Sequence, residues 1–365
     1  MINPERLVLN FLDYVQIDSE TGHEGAMSER LAADLTAMGL EVKTYDVPGY
    51  EGKSVLAKVP GTTDGEPILL NAHMDTVVPG IGVKPVIRGD VIYSDGTTVL
   101  GGDDKSGICA ILEAVRSLQE DGTPHRPLEI FFSVGEESGL NGAKAFDDYD
   151  AIDSKVVFVC DAAGAPGSLV LSAPHSAKII AVMHGKSAHA GLEPQNGINA
   201  IQVMAKGIAK MNLLRVDEAT TCNIGSIHTD FPTNIVPDRC EIAAEVRGQT
   251  AEKMEAQVDH MVGCLEEAAK EAGAVLECDV KKSYGGYLLS EEDPYIQMTK
   301  KAVEKLGLPW LATLGAGGSD ACVLVQHGIT PVVLGTGMTK VHSTQESLKV
   351  QDLIDFARLI EELAK

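Results

Sequence analysis

The stretch Leu128–Gly139 has the sequence Leu-Glu-Ile-Phe-Phe-Ser-Val-Gly-Glu-Glu-Ser-Gly, and the arrangement of the chain can be worked out from it. Its first seven residues are mostly apolar and contain no breaker, which is typical of a buried β-strand. Gly135 ends the apolar run, and the adjacent carboxylates Glu136 and Glu137 follow. Because adjacent acids repel each other, a fold that places them at a strand end usually supplies cations or raises a pKa. A solvated acidic turn is the alternative interpretation of this pair on its own.

The composition is that of an acidic globular protein. The chain has 365 residues, of which 44% are hydrophobic and 23% charged, and this length predicts two domains. The net charge of −23 argues against nucleic acid or anionic membranes as partners, since both favour clustered Lys and Arg. No apolar run approaches the roughly 20 residues that span a bilayer. The beginning of the sequence lacks a signal-peptide pattern and the seven cysteines are scattered, so we expect a cytoplasmic protein.

Amphipathic helices and apolar strands alternate along the first half of the chain. This order predicts an α/β fold with a mixed, mainly parallel sheet flanked by helices. In such sheets, ligand sites lie beyond the carboxyl ends of the strands. His73, the Glu136–Glu137 pair and Asp161 each come one to three residues after an apolar strand. We therefore expect these side chains to lie in one site.

From about Ser172 the pattern changes to a β-α-β-β-α-β order with amphipathic helices. This order predicts a small α+β sandwich of one sheet and two helices, inserted into the first domain. The predicted boundaries place a metal-binding catalytic domain at residues 1–173 and 285–365, and the inserted domain at residues 174–284.

Five side chains could provide a nitrogen-plus-oxygen ligand set: His73, His342, Asp103, Glu137 and Asp161. Mixed imidazole and carboxylate ligands suit Zn²⁺, and also Mn²⁺ or Co²⁺. Five ligands exceed one tetrahedral zinc but suffice for two metal ions if one carboxylate bridges them. Each residue alone is more often a core or surface residue, and only their joint position at strand ends favours a metal site.

Two further acids near these ligands have roles suggested by their position. Asp75 comes two residues after His73 and can accept the second ring N–H, which would fix the ligating tautomer. Glu136 lies beside a ligand without being needed as one. A carboxylate there can take a proton from the attacking water and pass it to the leaving amine.

Four segments resemble, in order, the motifs of the M20 metallopeptidases, a family of carboxypeptidases, aminoacylases, dipeptidases and tripeptidases. The segments are His73–Val77, Gly102–Gly107, Gly135–Gly139 and Val341–Ser343. The resemblance implies these roles: His73 and Asp161 on one metal, Glu137 and His342 on the other, Asp103 bridging, and Glu136 as general base. It also implies a cis peptide bond between Asp103 and Asp104.

Segments of the inserted domain resemble the lid of the same family, which usually forms a homodimer: His184–Gly191, Thr233–Asp238 and Glu245–Arg247. By this resemblance His189 would stabilise the oxyanion, in many members from the partner subunit. Asn234 and Arg247 would hold a polar or carboxylate end of the substrate, for which Arg offers a bidentate fork. Each of these three residues, taken alone, is more often structural.

Within the family the chain is most similar to tripeptidase-like (peptidase T-like) members, and Asp161 in place of Glu is usual in aminopeptidases. This implies a two-metal hydrolase that releases the N-terminal residue from tripeptides or similar peptides. Tripeptidases carry an Arg where this chain has Ala316, which argues against strict tripeptide selection. An M20-type carboxypeptidase or N-acyl-amino-acid amidohydrolase, using Arg247, remains an alternative. A non-catalytic metal-binding protein is a remote alternative, because the intact Glu136 argues against it.

Overall fold

The structure is a computed structural model that describes residues 1–315 and 317–365. These residues form two compact units. The first comprises Met1–Leu171 and Leu289–Lys365, and the second comprises Ser172–Leu288. Each unit has its own hydrophobic core. The roles of catalytic domain and lid stay predictions for these units.

Nine α-helices lie in the described part of the chain. In order they are α1 (Pro4–Tyr14), α2 (Gly25–Ala37), α3 (Gly102–Asp121), α4 (Asn141–Ala145), α5 (Ala200–Ile208), α6 (Ala251–Ala272), α7 (Pro294–Leu306), α8 (Ala321–Leu324) and α9 (Val350–Ala364). Among the described residues, none of these helices combines the length and the apolar character needed to cross a membrane.

Within residues 1–315 and 317–365, the strands form four sheets. In chain order the strands are β1 (Glu41–Asp46), β2 (Lys53–Val59), β3 (Ile68–His73), β4 (Val86–Arg88), β5 (Val91–Tyr93), β6 (Leu128–Ser133), β7 (Val156–Ala162), β8 (Ser168–Val170), β9 (Ser172–Ala173), β10 (His175–His184), β11 (Leu214–Asp217), β12 (Thr220–His228), β13 (Arg239–Gly248), β14 (Val275–Tyr284), β15 (Tyr287–Leu288), β16 (Leu311–Thr313), β17 (Thr330–Gly335), β18 (Met338–Thr339) and β19 (Ser347–Lys349).

The main sheet of the first unit has the strand order β1-β2-β6-β3-β7-β17-β8-β16. Its central strands β6, β3, β7 and β17 are parallel to one another, whereas the pairings of β1 with β2, β2 with β6 and β8 with β17 are antiparallel. Every residue of β3 and β6 is buried, as expected for central strands covered on both faces. Helix α3 packs against β3 and β7, with α1 and α9 beside it. The predicted mixed, mainly parallel sheet flanked by helices is confirmed.

The parallel register brings the carboxyl ends of β3, β6 and β7 to one edge of the sheet. His73 is paired with Ser133 across β3 and β6, and Leu69 with Val157 across β3 and β7. His73 is itself the last residue of β3, and Asp161 is the penultimate residue of β7. These two side chains therefore lie on the strand ends, slightly earlier than the sequence predicts.

A small antiparallel sheet, β18-β19-β5-β4, forms where the sequence shows only a turn-rich stretch. Ser347 of β19 pairs with Tyr93 of β5. The sheet therefore attaches the segment that contains His342 to the segment before α3. Its strands are two or three residues long, too short to show a periodic pattern in the sequence.

The second unit has an antiparallel sheet of order β11-β12-β13-β10-β14, against which α5 and α6 pack. This is the predicted α+β sandwich, with the short strand β11 added to the predicted element order. All four residues of β11 are exposed or half-buried. It therefore lacks the apolar alternation by which strands are found in a sequence.

Candidate metal centre

The structure brings the five predicted metal ligands together at the edge where the central strands end. The ligand atoms of His73, Asp103 and Asp161 all lie within 4.8 Å of one another. The ligand atoms of Asp103, Glu137 and His342 form a second group of three, also within 4.8 Å of one another. His73 ends β3, Asp103 lies in the first turn of α3, and His342 lies between β18 and β19. The two groups share Asp103.

The carboxylate of Asp103 faces one histidine with each of its oxygens. Asp103 Oδ1 lies 3.1 Å from His73 Nε2, and Asp103 Oδ2 lies 3.2 Å from His342 Nε2. His342 Nε2 is also 2.8 Å from Glu137 Oε1. His73 Nε2 is 3.8 Å from Asp161 Oδ1. A carboxylate in this position can contribute one oxygen to each of two ligand groups.

The chemistry of these donors fits divalent metal ions. Imidazole nitrogens and carboxylate oxygens are the ligands of catalytic zinc, and two groups that share one carboxylate suit a pair of ions. Burial raises the pKa of Asp161 well above its ordinary value, and the nearby carboxylates Glu136 and Asp103 raise it further. Such a concentration of acids is costly without cations, and bound cations would relieve that cost.

The two histidines carry raised pKa values because carboxylates surround them. Burial acts to lower the pKa of His73, but hydrogen bonds with Asp103 and Asp75 outweigh burial and raise it well above its usual value. Hydrogen bonds with Asp103 and Glu137 raise the pKa of His342 to about 10. Burial acts to raise the pKa of Asp103, yet the two histidines hold it below its ordinary value. The carboxylates around both imidazoles therefore favour the protonated rings, and a metal ion would compete with those protons.

Asp75 is fully buried and connects two parts of the site. The Nδ1 atom of His73 lies 3.0 Å from the carbonyl oxygen of Asp75 and 3.4 Å from its carboxylate Oδ1. The carboxylate also accepts hydrogen bonds from the backbone N–H groups of Glu136 (3.0 Å) and Glu137 (3.2 Å). Asp75 thus orients the ring of His73 and holds the two glutamates after β6.

Glu136 lies next to the ligand groups with its side chain almost completely buried. One of its carboxylate oxygens lies within 4.8 Å of a ligand atom of His73 and of Glu137, which makes a further group of three. Burial raises the pKa of Glu136 well above its ordinary value. The preceding Gly135 has φ of 63°, and a Cβ there would lie 2.4 Å from the ring of Tyr50. The sharp turn that aims Glu136 into the site therefore requires glycine at position 135.

The peptide bond between Asp103 and Asp104 is cis, as the resemblance implies. The carboxylate of Asp104 is buried and accepts hydrogen bonds from the backbone N–H groups of His73 and Gly107, both at 3.3 Å. Asp104 therefore connects the end of β3 to the first turn of α3.

Three buried carboxylates that the sequence does not single out lie directly behind the ligands. Glu24 accepts hydrogen bonds from the N–H groups of Gly22 and Gly135, each at 3.0 Å. Asp320 accepts hydrogen bonds from Ser133 Oγ and Asn71 Nδ2. Glu346 accepts hydrogen bonds from the backbone at the start of α3, on both sides of its first residue. Apart from the local bond between Glu24 and Gly22, their donors are far away in the sequence, so no local pattern marks them.

The predicted substrate-binding residues lie in the second unit. His189 and Asn234 are on paired segments, because the N–H of Ala190 donates to the carbonyl of Asn234 at 2.9 Å. The Nδ1 atom of His189 accepts hydrogen bonds from the N–H groups of Gly191 (3.1 Å) and Leu192 (3.2 Å). Since Nδ1 accepts, the neutral ring carries its proton on the exposed Nε2.

Arg247 lies on β13, and its Nε donates to Glu245 Oε1. It is paired with Ser176 at the beginning of β10, whereas His189 follows His184 at the other end of β10. The predicted departure at Ala316 lies outside the described residues.

Fold and site together define a class: hydrolases that hold divalent metal ions at the carboxyl ends of the strands of an α/β sheet. The comparisons with known proteins make this more specific. Residues 69–365 match the model of peptidase family M20/M25/M40, so the chain belongs to this family of peptidases.

Similar proteins cover the entire chain. The uncharacterized protein YqjE of Bacillus subtilis (strain 168) is 41% identical over 372 residues and covers all of both chains. The crystal structure of aminopeptidase PepT from Bacillus cereus ATCC 10987 has a TM-score of 0.92 and 43% identity over 100% of both chains. A tripeptidase from Staphylococcus aureus subsp. aureus Mu50 has a TM-score of 0.96 and 38% identity, covering 100% of this chain and 98% of its own. The predicted family and the similarity to tripeptidase-like members are confirmed.

Proposed function

We propose that the protein is an aminopeptidase that uses two divalent metal ions to release the N-terminal residue from tripeptides and similar short peptides. The observation that carries this proposal is Asp103, whose two oxygens face His73 and His342 at 3.1 and 3.2 Å. His73, Asp103 and Asp161 would hold one ion, and Asp103, Glu137 and His342 the other. Zn²⁺ is the first candidate for both positions, with Mn²⁺ or Co²⁺ as alternatives.

Bound metal ions would supply Lewis-acid polarisation of the substrate carbonyl and make water acidic enough to be a nucleophile at neutral pH. The chain's own contribution is proton transfer by Glu136. Its carboxylate would take a proton from the attacking water and deliver it to the nitrogen of the departing amine. The hydrogen bond from the Glu136 N–H to Asp75 holds the backbone of Glu136, whose side chain lies in one group with His73 and Glu137.

The positions of the substrate-binding residues support a homodimer. Arg247 is paired with Ser176 at one end of β10, and His189 follows His184 at the other end. Ser176 and His184 are eight residues apart, or about 27 Å along an extended strand. An extended tripeptide spans only about 10 Å. Arg247 and the His189–Asn234 pair therefore belong to opposite ends of β10, which favours their serving different substrates. We propose that a second copy of the chain supplies the other set.

The exposed Nε2–H of His189 supports a role as a hydrogen-bond donor to the oxyanion that develops during cleavage. Its Nδ1 is already occupied by the N–H groups of Gly191 and Leu192, which fixes the tautomer that donates from Nε2.

A cytoplasmic location is supported by the buried, free thiols of Cys109, Cys160 and Cys240, since reducing compartments maintain that state.

The proposed function is tested by incubating the metal-loaded protein with one tripeptide in three forms: free, N-acetylated and C-amidated. We expect the free form to lose its N-terminal residue and the acetylated form to be resistant, because the strongly acidic chain favours an ammonium group near the metal site. Product identification by mass spectrometry gives the position of cleavage, and Glu136→Gln protein is the control for contaminating peptidases.

The same assay separates the alternatives. An acetylated tripeptide cleaved as fast as the free one would replace the aminopeptidase with an N-acyl-amino-acid amidohydrolase. Release of the C-terminal residue, lost on amidation, would indicate a carboxypeptidase. The absence of any product from all three peptides, with both metal ions bound, would favour a metal-binding protein without turnover.

A further inference from the structure

Glu346 is a buried carboxylate whose hydrogen bonds all go to the segment that leads into α3. Glu346 is only 1% exposed to solvent. Oε2 accepts hydrogen bonds from the N–H groups of Leu100 and Gly101, each at 2.8 Å, and Oε1 accepts one from the N–H of Asp103 at 2.9 Å. The last of these donors is the backbone of the residue that both ligand groups share. One carboxylate therefore fixes the backbone on both sides of Gly102.

Two glycines make room for this carboxylate. A Cβ on Gly102 would lie 3.0 Å from Glu346 Oε1, which is tighter than ordinary van der Waals contact. Gly101 has φ of 75°, in the left-handed region that glycine adopts without strain. The Gly101–Gly102 pair and Glu346 are thus complementary parts of one arrangement, although they are more than 240 residues apart in the sequence.

Glu346 also belongs to the segment that carries His342. The N–H of Glu346 donates to the carbonyl of Ser343 at 3.0 Å, and Ser343 Oγ donates to the carbonyl of Lys340 at 2.7 Å. These bonds close a compact turn over residues 340–346. His342 has a half-exposed side chain and φ of 59°, so little burial holds it in place. The hydrogen bonds of Glu346 to the start of α3 therefore also fix the turn that contains His342.

We propose that Glu346 is a positioning residue for the proposed metal pair: it holds Asp103 and His342 at the separation that a shared ion needs. Both of its oxygens are occupied by N–H donors, and it belongs to none of the candidate ligand groups found among the described residues. It therefore acts through the two ligands and not as a ligand. This inference rests on the two-metal site proposed above.

Glu129 provides a matched control elsewhere in the same unit. It is 2% exposed and accepts the N–H groups of Asp153 (3.0 Å) and Ser154 (3.0 Å). In the sheet Glu129 is paired with Leu69 of β3. Leu69 is four residues before His73, or about 13 Å away along the strand. Replacing Glu129 thus removes a buried carboxylate–backbone arrangement, together with its contacts to Lys58 Nζ and Ser154 Oγ, without touching a ligand segment.

The experiment compares Glu346→Gln with Glu129→Gln. The melting temperature of each metal-free protein reports the structural contribution, and competition with a chromophoric chelator reports the affinity for Zn²⁺ or Mn²⁺. We expect both variants to melt lower than the wild type, but only Glu346→Gln to weaken one of the two bound ions, by roughly 10–100-fold. Excess metal should restore the peptidase rate of Glu346→Gln.

Gly102→Ala is a second variant that disturbs the same contact from the other side, and it serves if Glu346→Gln does not fold. It should weaken the same ion. The inference is overturned if these variants bind both ions as tightly as the wild type, whatever happens to the melting temperature. A wild-type protein that binds fewer than two ions would instead refute the proposed function, so the two failures are distinguishable.

Discussion

Glu136 is the residue whose proposed role can be separated most cleanly from metal binding. Glu136→Gln keeps the size of the side chain and removes its ability to accept a proton, so we expect turnover to fall by roughly 10²–10⁴-fold. Metal content should remain two ions per chain, because the five ligands are unchanged. Rates by product analysis and metal content by mass spectrometry are measured on the same preparation.

Glu137→Gln is the matched comparison one residue further along. Since Glu137 Oε1 is 2.8 Å from His342 Nε2, this change should weaken the second ion first and lower the rate as a consequence. The general-base assignment is wrong if Glu136→Gln retains more than about a tenth of the wild-type rate, against the loss expected of a general base.

The raised pKa values of the two histidines predict that metal binding releases protons. A folded-state pKa of His342 of about 10 means that the ring is protonated at pH 7, and the pKa of His73 is raised in the same direction. Ligation requires the neutral imidazole, so protons leave on binding and affinity rises with pH toward the pKa of His342. Calorimetric titration with Zn²⁺ in two buffers of different ionisation enthalpy measures the release. Equal binding enthalpies in both buffers would contradict it.

At the scale of elements, the position of α3 against β7 depends on a glycine. A Cβ on Gly107 would lie 2.6 Å from Cys160 Cβ and 2.5 Å from Asp104 Oδ1. Gly107→Ala should therefore push the first turn of α3 away from the sheet and destabilise the protein by about 1–3 kcal/mol. Because that turn contains Asp103, metal affinity should fall as well.

Gly263→Ala in α6 is the control, since a Cβ there meets nothing within 4 Å. This variant should gain about 0.5–1 kcal/mol from the better helix propensity of alanine. Urea unfolding of the metal-free proteins measures both changes. A Gly107→Ala protein as stable as the wild type would show that the helix can move without cost.

The elements that the sequence predicts well are those with a strong apolar pattern. The buried strands β3, β6 and β7 and the long helix α6 can be recognised because apolar residues follow the period of their element. Strands of two or three residues, such as β18 and β19, depend on partners far away in the chain. The same distinction holds in the site: His73 ends a recognisable strand and Glu137 follows another, whereas Glu346 is identified only by hydrogen bonds to residues about 240 positions away.

At the scale of the whole molecule, the proposed homodimer predicts complementation between two inactive variants. Glu136→Gln chains retain His189, and His189→Ala chains retain the complete metal site. If His189 acts on the partner's substrate, statistical mixing of two-fold dimers should restore roughly a quarter of the wild-type rate. Activity is measured after subunit exchange, which is verified by native mass spectrometry. No recovery in verified mixed dimers would show that His189 serves its own chain.

The central claim is a pair of metal ions that share Asp103, and native mass spectrometry after loading with Zn²⁺ or Mn²⁺ tests it most directly. We predict a mass shift of two ions per chain in the wild type and in Glu136→Gln protein, and loss of activity when a strong chelator removes the ions. A fully active protein with a single ion per chain, or activity that survives the chelator, would contradict the claim.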